Sequence, residues 1–497
     1  MTARCIMVLG TTSGAGKSWL TTALCRYYAR QGLKVVPFKA QNMSNNARVV
    51  ASPAGQGEIG SAQYFQALAA QALPDVRMNP LLLKPEKDTH SQVVLLGQVD
   101  AALTAMPWRA RSALVWPQIA AALDSLRAEN EVVVIEGAGS PSEINLSGSD
   151  IVNMRVAMHC NAACLLITDI DRGGAFAHLY GTWALLPAQE RALIKGFVLN
   201  KFRGDAALLA PAPQMLQDLT GIPTVATLPM WWQHGLPEED GVFDDRSTSR
   251  GEVKQSVAVI AYPRISNLDE FQPLKNIPGL RLQWVRSPSE LAGLTPQDWI
   301  ILPGSKHTSS DLQWLRQQGL DAAIAHHAHQ GGTVLGICGG LQMLGEALID
   351  PYGIDGNAPG LGLLPLVTVF GADKTVQHTR TQFDAAMAQR LGPWAALAAC
   401  PVAGYEIHHG QTQQHPAMAA AGNSAFEVLA QGLGWQNAQG NVLGVYLHGL
   451  FEAEQVLQAI FGAQLQQQVP TLNSVFDGLA DYIEAHFEPG SLQKLLT

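Results

Sequence analysis

The segment Thr333–Gly345, TVLGICGGLQMLG, predicts a short buried strand, a sharp turn and an apolar helix. Cys338 lies at the apex of that turn, between Gly336 and Gly340. A strand-to-helix turn of this kind raises the side chain at its apex out of the sheet edge, and the helix that follows offers unpaired backbone N–H groups to a thiolate or an oxyanion. Small neighbouring residues relieve the crowding of the turn. The segment therefore predicts a nucleophilic cysteine and acyl chemistry.

A catalytic cysteine needs a base, and His448 is the first candidate. It ends the strand-like stretch in GVYLHG, so in a parallel sheet it would emerge at the same carboxyl edge as Cys338. His408, in GYEIHHG, is the second candidate. A further strand with a glycine turn, WIILPGS, predicts an oxyanion hole from backbone N–H groups near Gly304 and at Gly339. The alternative is a buried structural cysteine and an unrelated histidine.

A glycine-rich loop between the first strand and the first helix predicts a phosphate site. In GTTSGAGKS, Thr11 occupies the position where the strict P-loop pattern has glycine, and Gly10 lies one residue earlier. Backbone N–H groups in such a loop surround phosphates, a lysine balances their charge and a serine can ligate magnesium. The alternative is an ordinary strand–helix turn. The predicted ATP-binding residues of the loop are Thr12, Ser13, Gly14, Ala15, Gly16, Lys17 and Ser18.

Two more strand ends add to this site. Glu136, in VVVIEGAGS, is an acidic residue where a parallel strand ends, which predicts that it holds the metal together with Ser18. A purely structural carboxylate is the alternative. Asn200 and Lys201 close another strand, and such a pair can bind a nucleotide base through the amide and the lysine stem. The predicted ligands are thus ATP and Mg²⁺.

Composition restricts the class of protein. The chain has 497 residues, 47% hydrophobic and 15% charged, which indicates a globular protein of at least two domains. The net charge is −9 and the sequence has no run of basic residues, which argues against nucleic acid or a membrane as the main partner. Six cysteines without CxxC pairs are typical of a reducing compartment. A cytoplasmic protein is expected.

Strand-like and helical stretches alternate through both halves, which predicts doubly wound, mostly parallel sheets. The composition changes over Gln233–Gln255, QHGLPEEDGVFDDRSTSRGEVKQ, which has few large aliphatic residues. We therefore predict three parts: an ATP-dependent domain at 1–232, a linker at 233–255 and an α/β domain with its own core at 256–497.

Longer motifs extend the interpretation to a known family. GICGGLQMLG with His448 resembles a class I glutamine amidotransferase domain of flavodoxin-like fold, and GTTSGAGKS with VIEGAGS and NKFRG resembles a dethiobiotin-synthetase-like P-loop domain. With FKAQNMSNNA, EGAGSPSEINL, DIDRGGAFA and LPGSKHT, essentially the whole chain resembles the cobyric/cobyrinic acid amidotransferase family of cobalamin biosynthesis.

The resemblance implies a ligase that amidates the b, d, e and g carboxylates of adenosylcobyrinic acid a,c-diamide, using L-glutamine, ATP and magnesium. It implies Cys338 as nucleophile and His448 as its base. It also suggests a set of substrate contacts from position alone: Lys39, Gln41, Asn42, Asn45, Asn46, Asp150 and Asp171.

One residue departs from the general class I pattern. Many class I glutaminases carry a glutamate two residues after the catalytic histidine, and here Leu450 stands there. This resembles the cobyrinate-amidase subfamily, where a Cys–His pair without that glutamate is usual. Glu452 is offset and is expected to turn elsewhere. We therefore expect a glutaminase that is slow until the ATP site is occupied.

Two alternative functions remain open. One is another amidase of the same architecture, such as a cobyrinic acid a,c-diamide synthase or a cell-wall lipid amidotransferase. The other is a P-loop regulatory switch with a degenerate glutaminase-like domain. The motifs at Lys39–Asn46 and Glu136–Asn145 favour the four-carboxylate amidase over the first, and the intact Cys338 turn counts against the second.

Overall fold

The computed structural model describes residues 2–87, 90–232, 234–237, 252–462 and 471–497. Its N-terminal half is built on a six-stranded, wholly parallel sheet. The strands are short runs rich in Val, Ile and Leu, as expected where helices cover both faces of a parallel sheet. In spatial order they are Thr224–Pro229, Ile194–Phe202, Ala163–Asp169, Arg4–Gly10, Val132–Glu136 and Val35–Phe38.

The C-terminal half has a seven-stranded sheet. Five strands are parallel and two antiparallel strands complete one edge. In spatial order they are Leu280–Val285, Gln255–Ile260, Trp299–Leu302, Thr333–Ile337, Val442–Val445, Gly434–Gln436 and Phe426–Leu429. The strand before Cys338 and the strand before His448 are neighbours, with Ile337 opposite Val445. The predicted common edge for these two residues is therefore present.

Smaller β elements lie between the two large sheets. A hairpin of the N-terminal half, Ala47–Ser52 with Gly55–Gly60, contacts the long antiparallel ribbon Leu366–Gln382 with Pro401–Gln414 of the C-terminal half. The remaining short strands are Gln41–Met43, Leu81–Lys87, His90–Leu95, Gln98–Val99, Ile265–Ser266, Gly304–Ser305, Ala347–Ile349 and Ala358–Pro359.

Helices cover the faces of both sheets. They are Lys17–Arg30, Ser61–Ala69, Ala101–Ala105, Trp108–Glu129, Met154–Cys160, Ala175–Leu185, Ala188–Arg191, Ala212–Thr220, Gln272–Lys275, Thr308–Gln317, Leu320–His329, Gly339–Leu344, Pro416–Ala420, Glu454–Phe461, Leu472–His486 and Ser491–Lys494.

The end of the chain departs from the predicted division at 256–497. Helix Leu472–His486 packs on helix Lys17–Arg30, and its apolar face joins the core of the N-terminal half. Arg26 Nε donates to Asp477 Oδ1 at 2.7 Å across that contact. Helix Leu472–His486 is amphipathic, and its sequence did not show which of the two cores it covers. Most of the predicted linker, residues 233 and 238–251, lies outside the described residues.

Candidate active sites

The backbone at Cys338 has the strained form expected of a nucleophile turn. Its φ of 50° and ψ of −106° are rare for a residue with a side chain. A Cβ on Gly340 would lie 1.8 Å from the Leu302 carbonyl oxygen, and one on Gly336 would lie 2.6 Å from the carbonyl carbon of Gly340. Only glycine fits at either position. The turn therefore presents the thiol at the sheet edge, as the sequence predicted.

His448 and a glutamate complete a triad with Cys338. The His448 imidazole lines the same cavity as Cys338, and its Nδ1 lies 3.2 Å from Glu270 Oε1. The other oxygen of that carboxylate accepts the Gly449 N–H at 3.1 Å. Glu270 and His448 are both buried, so the ring is held with Nε2 left for the thiol.

Leu450 thus stands where many class I glutaminases have glutamate, but another carboxylate orients His448. Glu270 does what a glutamate at position 450 would do, but it comes from the 3₁₀ turn Leu268–Phe271, at the same sheet edge. The acidic pair in NLDEF was the one signal in the sequence, and nothing in its spacing connects it with His448. A carboxylate that is already in place removes the reason for expecting a slow free glutaminase.

The charges of the triad favour an imidazolium. Burial lowers the pKa of His448, but the negative charges of Glu270 and of the Cys338 thiolate outweigh burial and raise that pKa to about 10. The imidazolium stabilises the thiolate and can donate a proton to departing ammonia.

We expect Glu270→Gln to lower the glutaminase kcat by about 10²–10⁴-fold, because the amide leaves the imidazole without its orienting charge. Glutaminase activity should decline at alkaline pH as the imidazolium is lost, and the pKa of His448 falls when the charge of Glu270 is removed. The alkaline limb of the kcat profile should therefore move to lower pH in Glu270→Gln. A profile identical to that of the unchanged protein would contradict this role of Glu270.

The other predicted residues of this site lie close to the triad. A Cβ on Gly304 would lie 2.8 Å from His448 Cε1, and one on Gly339 would lie 2.8 Å from the Ser305 backbone nitrogen. Gly304 thus lies beside the base, and Gly339 packs against the segment that carries Gly304. Their role as an oxyanion hole stays a prediction. His408, the second candidate base, instead contacts Glu406 at 3.1 Å and the Gly410 carbonyl at 2.8 Å. Its ring nitrogens are therefore already engaged.

The predicted P-loop connects strand Arg4–Gly10 with helix Lys17–Arg30. Gly16 has a φ of 101°, and a Cβ there would lie 2.1 Å from Asn200 Nδ2. Lys17 Nζ donates to the carbonyls of Thr12 at 3.0 Å and Gly139 at 3.1 Å. The Lys17 side chain therefore folds back over the P-loop. From this position its ammonium group can contact the phosphates of a bound nucleotide.

Glu136 is the centre of a buried polar cluster beside the loop. Its Oε1 accepts hydrogen bonds from Ser18 Oγ and Lys39 Nζ, both at 2.8 Å, and its Oε2 accepts one from Gln66 Nε2 at 2.6 Å. Burial raises the pKa of Glu136, but Lys39 and these hydrogen bonds hold it below its ordinary value. The cluster brings the predicted metal ligands Ser18 and Glu136 into contact.

The strand end that carries Asn200 and Lys201 also reaches the loop. Asn200 Nδ2 donates to the Ala15 carbonyl at 2.9 Å, and Lys201 Nζ donates to the Gly14 carbonyl at 2.9 Å. Lys201 Nζ also lies 3.1 Å from Asp169 Oδ2, a buried carboxylate that the sequence analysis did not single out. Both residues therefore stabilise the P-loop through hydrogen bonds. Their recognition of a nucleotide base stays a prediction.

The predicted substrate residues lie in several separate places. Lys39 is in the Glu136 cluster, and Gln41 is buried near the start of a short strand that also carries Asn42. Asp150 accepts backbone N–H groups of 152 and 153 at 2.9 Å, and Asp171 accepts the Arg203 guanidinium at 2.6 Å, so both shape their own loops. Asn45 and Asn46 lie at the junction of the two halves, and corrin contact by any member of this set is untested.

That junction is built from reciprocal hydrogen bonds. Asn46 Oδ1 accepts the Leu268 N–H at 3.0 Å, and Asn267 Oδ1 accepts the Ala47 N–H at 2.9 Å. On one side, Asn267 and Leu268 lie three and two residues before Glu270. On the other side, Asn46 directly precedes the interdomain hairpin, which begins at Ala47. Nothing in the sequence indicates this pairing, and substrate contact by Asn46 stays a prediction.

A cavity of about 620 Å³ connects the thiol with this junction. Cys338 and His448 line one part of it, and Asn45, Lys84 and Gln92 of the N-terminal half line another. The Cys338 site therefore opens towards the other half of the molecule.

Comparison with known proteins agrees with this arrangement. Residues 6–235 match the family model of the CobQ/CobB/MinD/ParA nucleotide binding domain, and 256–456 match that of the CobB/CobQ-like glutamine amidotransferase domain. Curated proteins named cobyric acid synthase from Albidiferax ferrireducens, Polaromonas naphthalenivorans and Variovorax paradoxus are 79%, 76% and 74% identical to this chain. Each comparison covers 100% of both chains. The chain belongs to the cobyric acid synthase family.

Membership of the family confirms the resemblance drawn from the motifs, and the two matched domains confirm the predicted pairing of a P-loop domain with a glutamine amidotransferase domain. The roles of individual residues rest on the geometry above. None of the helices in the described part of the chain is both long and apolar enough to cross a membrane.

Proposed function

We propose that this chain amidates the b, d, e and g carboxylates of adenosylcobyrinic acid a,c-diamide to give adenosylcobyric acid, with L-glutamine as nitrogen donor and ATP as the activating substrate. The observation that carries the proposal is the Cys338–His448–Glu270 triad, which opens on a cavity shared with the domain that holds the P-loop. Relatives that bear the name cobyric acid synthase support the choice of product.

Glutamine hydrolysis would follow from the triad. The Cys338 thiolate attacks the carboxamide carbon, and the carbon–nitrogen bond breaks as His448 donates its Nε2 proton to the departing ammonia. Backbone N–H groups near Gly304 and Gly339 stabilise the oxyanion. Water then attacks the thioester, His448 takes a proton from that water, and glutamate leaves.

Activation of the acceptor would take place at the P-loop. A substrate carboxylate attacks the γ-phosphorus of ATP, ADP departs, and an acyl phosphate forms. Lys17 offsets the charge of the phosphates. Ammonia then attacks the acyl carbon, phosphate leaves, and the amide remains. Because ammonia becomes protonated in bulk water and then cannot attack, the interdomain cavity is the route we assign to it.

Magnesium fits the residues at this edge. Ser18 and Glu136 offer a hydroxyl and a carboxylate in contact, which are the oxygen ligands this ion prefers, and it commonly needs only one or two of them beside phosphates and water. No group of three acidic, cysteine or histidine ligands occurs among the residues described. The ion would neutralise charge on the transferring phosphoryl group.

We assign nucleotide chemistry to residues 1–232 and glutamine hydrolysis to the part that follows the linker. The last helices pack on the N-terminal core. All six cysteines are free and buried, in keeping with the reducing cytoplasm that we propose as the location.

Mass spectrometry of the corrinoid product tests the choice of substrate. With ATP, Mg²⁺ and glutamine, we expect the a,c-diamide to pass through four successive amidations, and unamidated cobyrinic acid to be a poor acceptor. Two amidations of cobyrinic acid and none of the a,c-diamide would instead identify a cobyrinic acid a,c-diamide synthase.

A further inference from the structure

An arginine of the N-terminal half contacts the two segments that hold Glu270 and His448 of the triad. Arg48, on the interdomain hairpin, donates through Nε to Asp269 Oδ2 at 3.0 Å and through Nη2 to the same oxygen. Its Nη2 also donates to Glu452 Oε1 at 2.5 Å. Asp269 immediately precedes Glu270, and Glu452 belongs to the 3₁₀ turn that follows His448. One guanidinium thus connects the two segments that carry the base and its carboxylate.

The surroundings of Arg48 leave it little freedom. Its side chain is 2% exposed, and its Cζ lies 5.0 Å from the ring centroids of Phe65 and Tyr405. Tyr405 in turn stacks on the His448 ring at 5.3 Å between centroids, and its N–H and carbonyl pair with those of His448. The guanidinium therefore packs against Tyr405, a residue that holds the His448 imidazole in place.

Arg48 also balances the charges of this region. Asp269 and Glu270 are adjacent buried carboxylates, and the second must remain ionised to orient His448. Burial disfavours the charge of Arg48, but Asp269 and Glu452 raise its pKa well above the ordinary value. Without the guanidinium, Asp269 would stay buried beside Glu270 with no cation of its own, which is costly in a medium of low dielectric constant.

We propose that Arg48 is a positioning residue of the glutaminase, contributed in cis by the synthetase domain. The triad is then held in its productive geometry only while the interdomain hairpin is docked, so that ammonia release depends on contact with the domain that consumes ammonia. The proposal rests on the proposed glutaminase function and adds a residue that does not itself touch glutamine.

Replacement of Arg48 in the full-length protein tests this role. Arg48→Met keeps the length of the stem without the charge, and we expect the glutaminase kcat to fall by at least about 10-fold while the KM for glutamine changes by less than about 3-fold. Ammonium-dependent synthesis should stay within about 3-fold of the unchanged protein. Arg48→Lys, which restores the charge, should recover a substantial part of the lost kcat.

The matched control is His378→Ala. His378 lies across the same interface, with its ring 2.7 Å from the carbonyl of Val49, the residue next to Arg48. Its backbone pairs with that of Tyr405, but no hydrogen bond of the described residues joins its side chain to Glu270, His448 or Glu452. We expect its glutaminase kcat to be unchanged. If Arg48→Met does not fold, Asp269→Asn removes the same ion pair from the other side and should lower kcat in the same selective way.

Four results separate the possibilities. A kcat unaffected by Arg48→Met and Asp269→Asn would overturn the proposal, and so would a parallel loss of ammonium-dependent synthesis, which would indicate general disruption. A comparable fall in His378→Ala would overturn it too, because any damage to the interface would then suffice. Absence of glutaminase activity from the unchanged protein would instead overturn the proposed function.

Discussion

Cys338→Ala should abolish synthesis from glutamine and preserve synthesis from ammonium salts at raised pH. The thiolate is the only group placed at the apex of the strained turn beside His448, and loss of a covalent nucleophile lowers such reactions by at least about 10³-fold. Alanine retains the Cβ, so the turn keeps its backbone. Raised pH matters because only uncharged ammonia can attack the acyl phosphate.

The measurement compares initial rates of amide formation with the two nitrogen donors. Cys400→Ala is the control, because Cys400 is also a buried free cysteine of the C-terminal half and its Sγ lies 3.6 Å from the Pro401 carbonyl, not near the triad. It should use both donors normally. Retention of glutamine use by Cys338→Ala, or loss of both activities, would contradict the assigned roles.

Lys17→Ala should have the complementary effect, with both nitrogen donors failing. Lys17 is the cation of the P-loop, and removal of one preorganised charge from a phosphoryl-transfer site lowers the rate by about 10²–10³-fold. The Cys338 site lies in the other domain. Hydrolysis of glutamine in the absence of ATP, and labelling of Cys338 by a glutamine-like electrophile, should therefore continue.

Lys195→Ala provides the comparison for this variant. Lys195 belongs to the same sheet but lies at the start of strand Ile194–Phe202, at the edge opposite to the P-loop, where its Nζ donates to the Ala192 carbonyl. It should retain amidation. Amidation in Lys17→Ala at the rate of Lys195→Ala would show that the loop does not hold the reacting nucleotide.

The two reactive centres were predictable from sequence because each is encoded locally. The glycines around Cys338 and the Gly16–Ser18 segment fix a backbone shape within a few residues, and parallel strands bring His448 and Glu136 to the expected edges. A motif that specifies its own conformation can be read without knowledge of the rest of the chain.

The connections between the centres were not predictable in the same way. Glu270 reaches His448 across 178 positions of sequence, and Arg48 reaches Asp269 across 221. The sequence around a single carboxylate or guanidinium does not indicate which distant residue it will contact. For the same reason, the sequence did not indicate that the Asn46 side chain joins the two halves of the molecule, or that helix Leu472–His486 covers the N-terminal core.

Ammonia released at Cys338 should be consumed at the P-loop domain without mixing with solvent. The most direct test supplies glutamine labelled with ¹⁵N in its amide, together with an excess of unlabelled ammonium, and measures the isotope in the corrinoid product by mass spectrometry. We predict that the new amides carry the label of glutamine. Amides that carry the isotope ratio of the bulk ammonium would contradict the claim.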